Sequence, residues 1–234
     1  MKKGILYQFE IFKKFNVALN LSLNDIRSQF RGSILGPFWS VINIVILVVI
    51  LSFIYGTIFD VETNILVPHI ASGLVFWFFI ANCLNECSEI FVLKRDLIKN
   101  IAMPVGIYVL QVIIKNTIIL TYHLIALVPF LIFYEVNLLL KIYFVLIGFI
   151  FNFFLLYTFG YLIAFVSAIF RDIPHIIKTI NQMAIFVTPI IYTKEMLGSR
   201  FIIADVNPFY HIIEIMRSPL LNKELDLLNW TIVI

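Results

Sequence analysis

Residues 27–59 read RSQFRGSILGPFWSVINIVILVVILSFIYGTIF, basic at the start and deeply apolar by the end. Arg27 and Arg31 stand four apart, a spacing that places two side chains on one helical face. Gly36-Pro37 is expected to break that helix, and Trp39 stands at the mouth of the apolar run that follows. No charged residue falls between Ile34 and Phe59. At ~1.5 Å of rise per residue, a helix of that length exceeds the ~30 Å of a bilayer core. Segment 34–59 is therefore expected to span a membrane, with tilt absorbing the excess length.

The rest of the chain has the same character. Of 234 residues, 62% are hydrophobic and 13% charged, with a mean hydropathy of +1.01. Soluble domains average ~25% charged, so a soluble protein is excluded. The net charge of +3 is too small to imply a nucleic-acid partner, and the placement of the cations matters more than their sum. Cys83 and Cys87 lie four apart inside an apolar segment and read as packing residues. The basic start, with Lys2 and Lys3, leads to Lys13 and Lys14 without an apolar stretch and small-residue cleavage site, so no cleaved signal peptide is expected.

Upstream of the first span, residues 1–33 are expected to hold an amphipathic helix at the membrane interface. Ile11, Phe12, Phe15, Leu19, Leu23 and Ile26 share one face, and Lys13, Asn20, Asn24, Arg27 and Arg31 another. Downstream, a short acidic loop with Asp60 and Glu62 leads to a second span at 70–93. Further spans are expected at 105–133, 142–170 and 176–191. Between the second and third lies a polar insert, 94–104, which carries Lys94, Arg95, Asp96 and Lys99 and ends at Pro104; a short helix there should stop at the residue before the proline. Segment 193–229 is less apolar and slightly acidic. In it, Asn207-Pro208 reads as a helix N-cap followed by proline at the first helical position, with the helix running to about Leu221. Residues 230–234 look like the first turn of a sixth span cut short. The expected fold is thus an all-α, polytopic helical bundle in one transmembrane domain.

Cations cluster in the N-terminal segment, around Lys94–Lys99 and at Arg171 and Lys178, whereas the alternate loops hold few. By the positive-inside rule these three segments, the N-terminus included, are expected on the cytoplasmic side of the cell membrane, and 193–229 outside.

The leading arginines, Leu35-Gly36-Pro37 and Trp39 resemble the permease subunits of ABC-2 type exporters, in particular those that move lipid-linked polysaccharides such as O-antigen, capsule or teichoic acid. The resemblance recurs at Ser72-Gly73-Leu74 with Trp77-Phe78-Phe79, at the basic insert before Pro104, at Arg171-Asp172, at Thr188-Pro189 through Tyr192, and at Asn207-Pro208 with Glu214 and Arg217. It implies six spans, and a coupling helix at 94–104 on which a separate ATPase docks. It also implies an outer gate of short helices involving Pro189, Tyr192, Asn207, Pro208, Glu214 and Arg217, and a conduit formed between two permease copies with two ATPase subunits. Arg27 and Arg31, with Gly36, Pro37 and Trp39, would then form the entry for the substrate's pyrophosphate, since charge-assisted phosphate contacts favour arginine. Anchoring to anionic lipid headgroups is the plainer reading of the same arginines.

No Gly-rich loop ending in Gly-Lys-Ser or Gly-Lys-Thr occurs, so ATP and Mg²⁺ are expected on the partner and no cofactor in this chain. Asn82, Glu86 and Glu89 share one face of the inner half of the second span, and Lys115 lies some ten residues into the third. Ionisable groups at such depth face a water-filled path, an interface or one another. His69, His123, His175 and His211 stand in four segments without metal-ligand spacing, and no metal site is expected. Three other readings carry less. The Leu-Gly-Pro-Phe-Trp signal argues against an ABC-2 exporter of drugs, haem or lipids. A secondary transporter should show internal repeats, and an intramembrane enzyme should show a paired nucleophile and base, and neither is visible.

Overall fold

The computed structural model describes residues 10–136, 141–200 and 202–233; Lys2 and Lys3, positions 137–140, Phe201 of the outer segment and Ile234 lie outside the described residues. Every regular element among them is helical: α1 (Phe15–Gln29), α2 (Phe38–Phe59), α3 (Thr63–Leu93), α4 (Arg95–Asn100), α5 (Gly106–Phe133), α6 (Ile142–Ile169), α7 (Ile173–Val187), a 3-10 turn (Lys194–Arg200), α8 (Ile202–Val206), α9 (Pro208–Leu220) and α10 (Leu227–Val233). Four of these, α2, α3, α5 and α6, are long and apolar enough to cross a membrane. An apolar span closes its backbone hydrogen bonds internally only as a helix or a barrel, which is why such runs are helical. Burial ranks them: 83% of the most apolar window of α3 is buried against 17% for α2, so α3 is the packed element and α2 the outward one.

Several boundaries differ from the sequence expectation. The helix before the first span ends at Gln29, not at Gly36-Pro37, because Gly32 takes the left-handed region at φ 79°; Arg31 lies past the helix end and does not share a helical face with Arg27. The first transmembrane helix starts at Phe38 rather than residue 34. The second starts at Thr63 rather than residue 70: Pro68 sits near its beginning, where the missing N–H forfeits one intrahelical bond and does not end the helix. The insert at 94–104 is helical only over Arg95–Asn100, since Ile101 turns extended three residues ahead of Pro104. The segment expected as a span at 176–191 is a helix of 15 residues, Ile173–Val187, about 22 Å long and short of a full crossing.

The chain folds as two compact units. One comprises Met1–Pro37, Phe79–Ile119 and Phe153–Thr179. Its core holds Ile11, Ala18, Cys87, Ile107, Leu110, Ile113 and Ala164, and Phe12 is ringed by Phe154 and Tyr157 at 6.0 and 5.6 Å. Cys83 and Cys87 are free and buried, with the Cys87 sulfur packed where a side chain at Gly160 would otherwise stand.

The other unit comprises Phe38–Phe78, Leu120–Asn152 and Ile180–Ile234. Helix α9 is capped as the Asn207-Pro208 pair dictates: Asn207 accepts from the Phe209 N–H at 2.9 Å, and its amide donates to Thr188. Lys141 serves the other end, donating to the carbonyl of Lys223 at 2.7 Å. Pro219 has no N–H for the Ile215 carbonyl, and that freed oxygen lies against Gly148 of α6, only 2.6 Å from where a Cβ would sit. One turn further along α6, Asn152 donates to the Ile212 carbonyl at 3.0 Å. Gly148→Ala is expected to destabilise by about 1–3 kcal/mol, the usual cost of overpacking against atoms that cannot yield. Gly56→Ala, whose nearest neighbours are 3.8 Å away, should be neutral. Thermal unfolding in detergent distinguishes the two.

Candidate functional site

In the first unit, charge collects around a cavity of about 360 Å³ lined by Asp25, Gln29, Glu86, Glu89, Lys94 and Lys115, with apolar walls from Ile90, Leu93 and Val112. The amphipathic periodicity of α1 turns Asp25 inward on the face that also buries Ala18 and Ser22. Glu86 and Glu89 lie one turn apart on α3, so both reach the same cavity. Each carboxylate has a cation from another segment. Lys115 of α5 donates to Glu86 at 2.9 Å, Lys178 of α7 to Glu89 at 2.5 Å, and Lys94 to Asp25 at 3.1 Å. Lys115, which needed a counter-charge by its depth in the sequence, thus finds Glu86, while Asn82 is half-buried and does not line the cavity. Gln111 of α5 donates to the second oxygen of Asp25, and Ser22 donates to the Gln111 carbonyl at 2.8 Å. Asp25, Gln111, Ser22 and Lys178 are absent from the sequence-level set of site residues. An acidic residue on the inward face of an interfacial helix was the available signal.

Arg27 and Arg31 are exposed, and neither takes part in an ion pair among the described residues. Gly36 accommodates φ 54° and its N–H bonds the Ser33 hydroxyl at 3.0 Å, so the turn into α2 is closed locally. Trp39 is half exposed at the start of α2. In α4, Arg95, Asp96 and Lys99 are exposed, and so are Leu97 and the following Ile101; Pro104 lies in the irregular link to α5.

In the second unit, the structure assembles four of the residues expected at the outer gate around one that was not expected, His69. Arg217, 1% exposed, sends Nε and Nη2 to Glu214 and Nη1 to the Pro189 carbonyl at 2.8 Å. Ser218 donates to the other Glu214 oxygen. Burial alone would push the Glu214 carboxyl up, but the Arg217 guanidinium and the bond from Ser218 hold it below the ordinary carboxylate value. His69 Nε2 lies 3.1 Å from Arg217 Nη1 and 3.0 Å from the Tyr192 carbonyl. A neutral imidazole nitrogen either donates or accepts. One proton therefore decides whether His69 holds the backbone at Tyr192 or the guanidinium of α9. Asn207 and Pro208 start that helix but stand apart from the cluster, serving as its cap.

Two further histidines are also engaged. His211 bridges Asn229 and the Asp205 carbonyl, at 2.6 and 2.8 Å. His123 meets Ser40 at 3.0 Å, a serine–histidine pair invisible in the sequence. Its Nδ1 has no partner among the described residues, and the contact ties α2 to α5.

Four helices long and apolar enough to cross a membrane, with a short charged helix between two of them and charge pairs gathered at one cavity, define a polytopic membrane protein of the helical-bundle class. Residues 19–221 match the family described as ABC-2 type transporter, and the chain belongs to that family. An O-antigen export system permease protein RfbA from Klebsiella pneumoniae is 23% identical over 230 residues, covering 95% of this chain and 87% of the relative. A second protein of that name from the same organism is 22% identical over 91% of this chain and 83% of the relative, and one from Myxococcus xanthus 20% identical over 85% and 78%. Family membership implies a partner ATPase component.

Proposed function

We propose that this chain is the permease subunit of an ATP-driven exporter that carries lipid-linked polysaccharide of the O-antigen type from the cytoplasmic to the outer face of the cell membrane. The observation that carries this reading is end-to-end similarity, over 95% of this chain, to a protein named for O-antigen export. In this reading the N-terminus, α4 and the Arg171 turn are cytoplasmic, in keeping with the cation clusters. ATP and Mg²⁺ act on the partner, whose two copies draw together on nucleotide binding and push on α4 of two permeases. The unpartnered apolar face of α2, with Ile46, Val49, Ile50, Phe53 and Ile54 exposed, offers a surface for a second copy of this chain. Arg27 and Arg31 meet the pyrophosphate of the lipid carrier, and the α9 cluster forms part of the outer gate.

Deletion of the gene in its host tests the whole reading. Surface glycan should disappear while lipid-linked glycan accumulates inside, and the wild-type gene should restore export. Unchanged surface glycan in the deletion strain would reject it.

The docking assignment has its own test. Cysteines replacing Asp96 and Lys99, both exposed on α4, should crosslink to the co-expressed ATPase. A cysteine at Glu224, exposed in the segment after α9, should not. Crosslinking at Glu224 and none at α4 would reverse both the docking site and the orientation.

A further inference from the structure

Asp25 joins three segments of the first unit. Its Oδ1 takes the ammonium of Lys94, the residue that caps α4; its Oδ2 takes the amide of Gln111 on α5; and Ser22, one turn back on α1, closes the contact by donating to the Gln111 carbonyl. The other two carboxylates at the cavity pair with different cations, Glu86 with Lys115 and Glu89 with Lys178. Helix α4 itself has no buried residue, so apolar packing does little to fasten it. Among the described residues, this ion pair ties the start of α4 to α1.

We propose that Asp25 is a positioning residue that fastens the ATPase-docking helix α4 to the amphipathic helix α1, so that a push on α4 moves α1 and, with it, Arg27 two residues further along. This rests on the transport reading above and deepens it: ATP engagement and capture of the substrate's phosphate become one movement. Charge-assisted bonds suit that role, since they are short, directional and stronger than neutral ones, and Asp25 and Lys94 keep side-chain exposures of 33% and 21%.

The test uses the assembled permease–ATPase complex and reads three quantities: co-purification with the ATPase, ATP hydrolysis by the purified complex, and surface glycan in cells. Asp25→Ala and Asp25→Leu should each assemble and hydrolyse ATP within about twofold of wild type, while export falls at least tenfold. The exchange Asp25→Lys with Lys94→Asp should return export to within about threefold. It keeps the combined side-chain length, and Gln111, whose Oε1 has no hydrogen-bond partner among the described residues, can turn its amide to accept from the new lysine. A purely structural role would lower assembly, hydrolysis and export together in the single variants and leave export low in the exchange even where assembly returns, and that combined pattern overturns the proposal. So does wild-type export by Asp25→Ala. Should the single variants fail to assemble, the exchange still decides, because restored assembly without restored export leaves Asp25 only structural. Loss of transport in the wild type would instead reject the transport reading itself.

Discussion

Arg217→Ala is expected to destabilise the protein by about 3–5 kcal/mol, the cost of stripping the partner from a buried charge. Arg217 is almost wholly inaccessible, and its removal leaves Glu214 buried with one hydroxyl donor and the Pro189 carbonyl with none from this group. Removing both charges should cost less than removing one. Arg217→Met with Glu214→Gln should therefore unfold at a higher temperature than Arg217→Met alone, and equal midpoints would show that the two charges do not interact. The pH dependence gives a second check with a definite sign. Because the folded state holds the Glu214 carboxyl below its ordinary value, its stabilising contribution is complete above the unfolded value and is lost as pH falls through the folded one. Wild type should lose stability on acidification over that range. In Arg217→Met the burial of Glu214 loses its chief opposing charge and pushes the carboxyl up, so the variant should gain stability as pH falls from that raised value to the unfolded one, a window above the one in which wild type loses it.

Residues that make that network show what a sequence does and does not reveal. The helix cap at Asn207-Pro208 is local chemistry, readable from two adjacent residues, and the structure has it as written. The four long helices are legible for a similar reason, since an uncharged run of that length has few alternatives in a membrane. Partners across segments are another matter. Nothing in the residues around position 69 says that its imidazole will meet a guanidinium 148 positions away, and nothing around Asp25 announces Lys94 or Gln111. Glu86 and Lys115 came closest, because each is costly alone at membrane depth and so demands a counter-charge. The helix break after α1 was misplaced for a physical reason: Gly36-Pro37 is the stronger local signal, yet Gly32 takes a positive φ first and ends the helix a turn and a half earlier. The shortness of α7 was hidden by Pro189 and the apolar residues around it, which read as span but pack as a non-helical link receiving Arg217 and His69.

That earlier break bears on Arg27 and Arg31, the arginines proposed to meet the substrate. Arg27 is carried by the last turn of α1 and Arg31 by the turn beyond it, so they approach a ligand from two backbone pieces. Both are exposed and free of ion pairs among the described residues. Arg27→Lys with Arg31→Lys is expected to reduce glycan export at least tenfold while leaving membrane insertion and ATPase assembly intact. Anchoring to anionic headgroups contributes ~1 kcal/mol per basic residue near the surface and needs only the charge, which lysine keeps. A favourable cation in the last turn of α1 is kept as well. What lysine cannot reproduce is the planar fork that grips a phosphate through two parallel bonds. Surface glycan measured at matched expression separates these contributions. Export at the wild-type level by the double lysine variant would leave the arginines with the anchoring role alone, and a single lysine at either position should show which of the two backbone pieces carries the grip.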